Sequence, residues 1–209
     1  MMREIVTPAV LPPSALAELK EWLGITTSFD DAPLTDLLAT ALDVCTDYTG
    51  LVPIACTLRE SLPLPTDWRR LPPPDEWQSR NYPADWRAPP LQPGWHELAS
   101  RPVRSIVSVA LLRADGTSDT LDPAAYDARI NAEGACGLRV IDPGNHASAV
   151  VTFTAGLAPD WDSLPVGMRH GVMRLAAHQH RTREGAGADA LPPASVTALW
   201  RPWRRVRLV

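Results

Sequence analysis

The densest concentration of chemistry-bearing side chains lies near the C-terminus. There Trp200-Arg201-Pro202-Trp203-Arg204-Arg205-Val206-Arg207-Leu208-Val209 sets four arginines and two tryptophans within ten residues. Guanidinium forks grip carboxylates and phosphates, and indoles stack on bases or fill apolar pockets. Trp200, Arg201, Trp203, Arg204, Arg205 and Arg207 therefore read as a docking segment. A second set is Trp68, Trp77, Trp86 and Trp95, each nine residues after the last, with Asp-Trp-Arg at 67–69 and again at 85–87. Asp67 and Asp85 are the carboxylates a hydrolytic site would need. His178 and His180 stand two apart, so on a helix they point to different faces and cannot chelate one ion as an i, i+4 pair would. His170 and His178 are two turns apart, too far for an unaided pair. Asp30 and Asp31 precede Pro33 at a helix start, where acids cap and oppose the dipole. Cys45, Cys56 and Cys136 are scattered and odd in number, without CxxC spacing. The chain has no GxGxxG, Walker loop, GxSxG or HExxH. These residues predict binding, with no catalytic centre, no metal and no cofactor.

Composition sets the frame for that binding. The 209 residues are 45% hydrophobic and 21% charged, near the globular norm, and carry a net charge of -4. A mildly acidic total argues against wholesale coating of DNA while leaving room for a locally basic segment. The 22 prolines are about twice the usual ~5% share, so much of the backbone must be irregular. The cysteines fit a reducing compartment. Neither a signal-peptide run nor a stretch of about 18 apolar residues is present, so a soluble protein is expected.

The elements that must position these groups follow from periodicity. Ser14 is expected to cap a helix with Leu16, Leu19, Trp22 and Leu23 on one side, ended by Gly24. A longer helix carries Leu34, Leu37, Leu38, Ala41, Leu42, Cys45 and Tyr48 until Gly50. Ile54, Cys56, Leu58 and Leu62 alternate as a first strand, with Glu60 intruding on the apolar side. Residues 63–100 then hold nine prolines and the four tryptophans, a long insertion in which regular structure stops. Two readings stand for it: a loop packing its own aromatics over a sheet, or a docking surface for another subunit using Trp68, Trp77, Trp86 and Trp95.

Regular pattern resumes at Arg101. A strand from Val103 to Leu112 turns at Ala114-Asp115-Gly116-Thr117 and returns through Thr120 and Leu121. Short strands follow at 126–130, at 138–141 and at 149–155, where Val151, Phe153 and Ala155 alternate with threonines. A helix beginning near Pro165, with Asp162 and Ser163 offering cap oxygens, places Met168, Val172, Leu175, Ala176 and Gln179 on its core side and Arg169, Arg174, Arg181 and Arg183 on a basic one. The spacing predicts an α+β fold: two N-terminal helices and a long C-terminal helix packed with a small antiparallel β-meander. Residues 1–188 form that domain, and 189–209 form an extended docking tail, with a short helical turn expected from Ala194 to Leu199, mobile until it meets its partner.

The order of these pieces resembles the head-to-tail connector, or adaptor, proteins of long-tailed bacteriophages and of the related gene transfer agents. The resemblance is carried by two helices ending in Asp-Tyr-Thr-Gly (47–50), Arg-Pro-Val-Arg-Ser-Ile-Val-Ser-Val (101–109), the Ala-Asp-Gly turn and Leu-Asp-Pro-x-x-Tyr (121–126). The Val-Thr-Phe-Thr-Ala-Gly strand, the Leu-Pro-x-x-x-Arg helix start and the arginine-rich close complete it. It covers about residues 14–62 and 101–209, and the insertion at 63–100 departs from it.

The resemblance implies a non-enzymatic virion protein at the head–tail junction of a phage or phage-like particle, assembled in the bacterial cytoplasm. It implies a ring, typically of twelve copies, below the portal protein, meeting a stopper or tail protein on its other side. DNA would pass through the central channel without sequence-specific contact, and no membrane is involved. Beside this reading stand a nucleic-acid-binding module using the Trp/Arg-rich tail and a hydrolase built on the Asp-Trp repeats.

Overall fold

The computed structural model describes residues 3–64, 94–113, 116–182 and 192–204. The chain divides into two compact units, each built from interleaved segments.

The first unit, 1–6, 58–99 and 103–154, holds the sheets. Strands β1 (Arg3–Thr7), β2 (Cys56–Pro63), β3 (His96–Glu97), β4 (Val103–Leu112), β5 (Ser118–Thr120), β6 (Tyr126–Ile130), β7 (Cys136–Val140) and β8 (Ser148–Ala155) form two sheets. Their orders are β1-β2-β8-β4-β5 and β3-β7-β6. The expected single meander is therefore two sheets. The β4–β5 hairpin pairs Ala110 with Thr120 as its turn signal requires, and β6 pairs with β7 from Tyr126–Val140 to Ile130–Cys136. Strand β8 reaches past these local partners to lie between β2 and β4. Ala149, Val151 and Phe153 are fully buried on its alternate positions. Glu60, the charged intruder of β2, is buried beside Leu58 and Leu62, and its Oε2 accepts the backbone N–H of Ala99 at 2.8 Å. A charge-assisted bond of this kind is what makes a buried carboxylate tolerable.

The second unit, 7–57, 100–102 and 155–209, is helical. Helix α1 (Pro13–Leu23) buries Ala15 and Leu19 and leaves Trp22 of its predicted side exposed, whereas α2 (Asp31–Thr49) and α3 (Val166–Thr182) follow the predicted stripes. Gly24 and Gly50 both end their helices at φ 73°, where a side chain would be strained. The start signals differ in detail. Pro12 stands at the cap of α1, and Ser14 Oγ instead reaches Asp162 Oδ1 at 3.3 Å. Asp31 ion-pairs with Lys20 at 2.6 Å. Before α3, the Asp160 carboxylate accepts the Ser163 N–H at 2.8 Å.

The largest departure is at the end of the chain. The helical turn expected over 194–199 is a fourth helix, α4 (Ala194–Trp200), and it is followed by a tight 3-10 turn over Arg201–Trp203. The expected extended tail is folded onto the helical unit as far as it is described. Leu19, Leu34, Leu38, Cys45, Met168, Val172, Val196 and Trp200 share one apolar core.

Candidate functional site

The C-terminal segment is anchored by two glycines four residues apart on α3. Gly171 lies directly under the indole of Trp200. Gly167 lies under Trp203, where a Cβ would come within 3.1 Å of Cη2. A side chain at 171 would force the Trp200 ring to move, while one at 167 would press on the Trp203 ring. The Trp200 ring is fully buried, its Nε1–H donates to the Met168 carbonyl at 3.2 Å, and its centroid is 6.0 Å from that of Tyr48. Trp200 is thus a core residue, correcting its assignment to the docking set. Its apolar surface is satisfied within its own unit, and its one polar atom already has a partner. Trp203 is half-buried.

Arg201 and Arg204 face solvent from this base. The Arg204 guanidinium stands 5.1 Å over the Tyr48 ring, a cation–π contact that holds the charge outward without neutralising it. Arg205 and Arg207 lie outside the described residues.

A second basic surface runs along α3. Arg174, His178 and Arg181 fall at steps of four and three, on the side opposite the helix's buried face. They line a cleft of about 160 Å³ whose other walls include Trp22 of α1 and Pro193 and Val196 at the start of α4. Trp22 keeps 45% of its surface exposed and meets His170 edge-on at 5.3 Å.

Of the nine-residue tryptophan set, Trp95 alone falls within the described residues. Trp68, Trp77 and Trp86, with Asp67 and Asp85, lie outside them. Trp95 is 7% exposed, packed on Gly137 at the edge of the three-stranded sheet, with Arg129 over its ring at 4.3 Å and Arg139 at 5.3 Å. Its place is the core of the first unit, which corrects its assignment to a subunit contact. Burial raises the Cys45 thiol to about 12, against a lowering bond to Thr49, and raises Cys136 to about 11 with help from the Glu60 charge. Among the described residues no three His, Cys, Asp or Glu side chains gather as metal ligands.

Sequence reasoning missed the role of Gly167 and Gly171. The signal was present as Gly-x-x-x-Gly in a helix that already had a good apolar stripe. Small residues at that spacing let another element approach the backbone closely.

No protein-family model matches the chain, and no curated protein matches it in sequence. In three dimensions it is similar over its whole length to chains of gene transfer agent (GTA) particles. A chain from the neck of a native GTA particle computed with C12 symmetry is 25% identical, with a TM-score of 0.67 and coverage of 100% of this chain and 98% of that one. One from the neck of an empty GTA particle computed with C6 symmetry is 24% identical, TM-score 0.68, with the same coverage. A third, from the virion of a native GTA particle, is 22% identical at TM-score 0.64, again covering 100% and 98%. These solved chains share the α+β fold.

Proposed function

We propose that this chain is a structural, non-enzymatic protein of the neck of a phage-like particle. Its copies form a ring joining the capsid portal to the next connector or tail component, with DNA passing through the centre. The observation that carries this reading is the end-to-end likeness to chains of GTA necks. Twelve copies around one axis would accord with the C12 symmetry of one of those necks, and C6 is contained in C12. Residues Arg201 and Arg204, continued by Arg205 and Arg207, supply the cations that dock on acidic or carbonyl acceptors of the portal or of a neighbouring copy. Trp203 supplies apolar contact, and Trp200 is their rigid support. Trp68, Trp77 and Trp86 of the insertion are assigned to a subunit or tail contact.

A nucleic-acid-binding module is the second reading. The exposed arginines favour it, but the burial of Trp200 removes one of its two stacking platforms. Imaging the purified chain mixed with portal-bearing, tailless heads tests the two together. A ring at the vertex is expected. Heads left bare, with DNA affinity falling at a log–log salt slope near about -3.6 for four phosphate contacts, would overturn the neck reading in favour of the second.

A further inference from the structure

Two helices of the helical unit carry opposite charge, and the charges on their exposed faces are not paired with each other within one copy. Helix α2, DAPLTDLLATALDVCTDYT, contains four aspartates and no cation. Asp36, Asp43 and Asp47 are exposed with Thr40 in one stripe, opposite the buried side formed by Leu34, Leu38, Ala41 and Cys45. Helix α3, VGMRHGVMRLAAHQHRT, contains three arginines, three histidines and no acid. Each stripe points away from the core the two helices share.

The charges nearer that core are already matched: Lys20 pairs with Asp31 at 2.6 Å and Arg169 with Glu18 at 3.8 Å. Among the described residues no ion pair uses Asp36, Asp43, Asp47, Arg174 or Arg181. Asp36 and Asp43 are seven residues apart, as are Arg174 and Arg181, so both pairs span about 10.5 Å along their helices. The cleft over Arg174 and Arg181 holds about 160 Å³, below the ~300 to 1,000 Å³ of small-molecule sites. It is of a size to take carboxylate side chains. Trp22, left 45% exposed on its wall, offers the aromatic anchor that interfaces favour.

We infer that the α3 cleft is the docking site for the α2 aspartate stripe of a second copy of this chain. The inference rests on the ring reading and gives that ring its side-to-side contact. Because the donor and acceptor faces are different surfaces of one unit, the contact is heterologous. It repeats from copy to copy until the rotation closes.

The test uses full-length protein in two charge-reversed forms, Asp36→Arg with Asp43→Arg and Arg174→Glu with Arg181→Glu. The first has two basic faces and the second two acidic ones. Alone, each should self-associate roughly tenfold or more weakly than the parent in sedimentation velocity, since like charges meet at the contact. Mixed in equal amounts, they should recover association, because each then presents what the other accepts. The milder single exchanges, Asp43→Arg and Arg181→Glu, both at exposed positions, carry the same test should a double variant fail to fold.

Parent-like association of either variant alone, or no recovery on mixing two folded variants, overturns this interface and leaves the ring intact. A parent that stays monomeric both alone and with portal-bearing heads overturns the ring and the interface together.

Discussion

Gly171 faces the indole of Trp200 with no room between them. A Cβ at 171 would lie 2.8 Å from Cδ1 and Cε2, and nearer still to Nε1. Replacing a helical glycine by alanine ordinarily favours the helix by about 1 kcal/mol, whereas forcing extra volume against a packed ring costs roughly 1–3 kcal/mol. Gly171→Ala should therefore lower the melting temperature. Trp200→Ala, which empties the site and removes the indole N–H bond to the Met168 carbonyl, should cost more, about 3–5 kcal/mol. Truncation after Leu199 should match Trp200→Ala in a thermal melt. A truncated chain that melted like the parent would show that the segment is not part of the core.

The exposed arginines predict the opposite pattern. Arg201→Ala with Arg204→Ala removes two solvent-facing charges and one cation–π contact, worth about 0.5–1 kcal/mol. The melt should barely change, while the fraction of portal-bearing heads carrying the protein should fall. Counting decorated heads in electron micrographs measures this.

In the first unit, Trp95→Ala should destabilise by about 3–5 kcal/mol, through loss of the ring that Gly137 and the two arginines enclose. Arg129→Ala, which takes away a cation at 4.3 Å from an intact ring, should cost only about 0.5–1 kcal/mol. Denaturant titration followed by near-ultraviolet circular dichroism separates the two.

Asp160 sets an acid limb. Hydrogen bonds from Ser163, side chain first and then backbone, hold its carboxyl below the ordinary value of 3.8. A depressed folded value means that the unfolded chain binds the proton more readily. The stabilisation is thus complete above 3.8 and disappears as pH falls from there through the folded value. Asp160→Ala should melt earlier than the parent at neutral pH, and the two melts should converge below that window.

The thiols should differ in reactivity. Cys45 and Cys136, buried and raised to about 12 and about 11, hold almost no thiolate near pH 8. A maleimide should modify half-buried Cys56 first. Peptide mass mapping over time reads the order, and early labelling of Cys45 would contradict the packing of α2.

The helical stripes were legible because Leu34, Leu38, Ala41 and Cys45 recur on one side of an element long enough to show a period. The glycine stops at 24 and 50 were legible because a left-handed cap has few chemical solutions. Strand β1 was not, since all five of its residues are exposed and no alternation marks it. The division into two sheets was hidden for another reason. Alternation tells which side of β8 is buried, and pairing with β2 and β4 is decided by distant sequence. Helix α4 was legible only as a short turn over 194–199, because its seven residues make two turns at most, too few for periodicity to show which side is buried. Of the candidate site, the outward cations could be read directly. The inward turn of Trp200 depended on space left by Gly171, a property of another element.

The interleaving of the helical unit also sets an order of events during synthesis. Helix α2 leaves the ribosome with Leu34, Leu38 and Ala41 uncovered, and α3, whose Met168 and Val172 share their core, is made roughly a hundred residues later. At ~5 to 20 residues per second the nascent chain waits on the order of 5 to 20 s with that apolar face open. The N-terminal helices therefore cannot complete their fold as they emerge. Trp200 follows α3 in the chain, so its place in that core is filled only after the helices that surround it have been made.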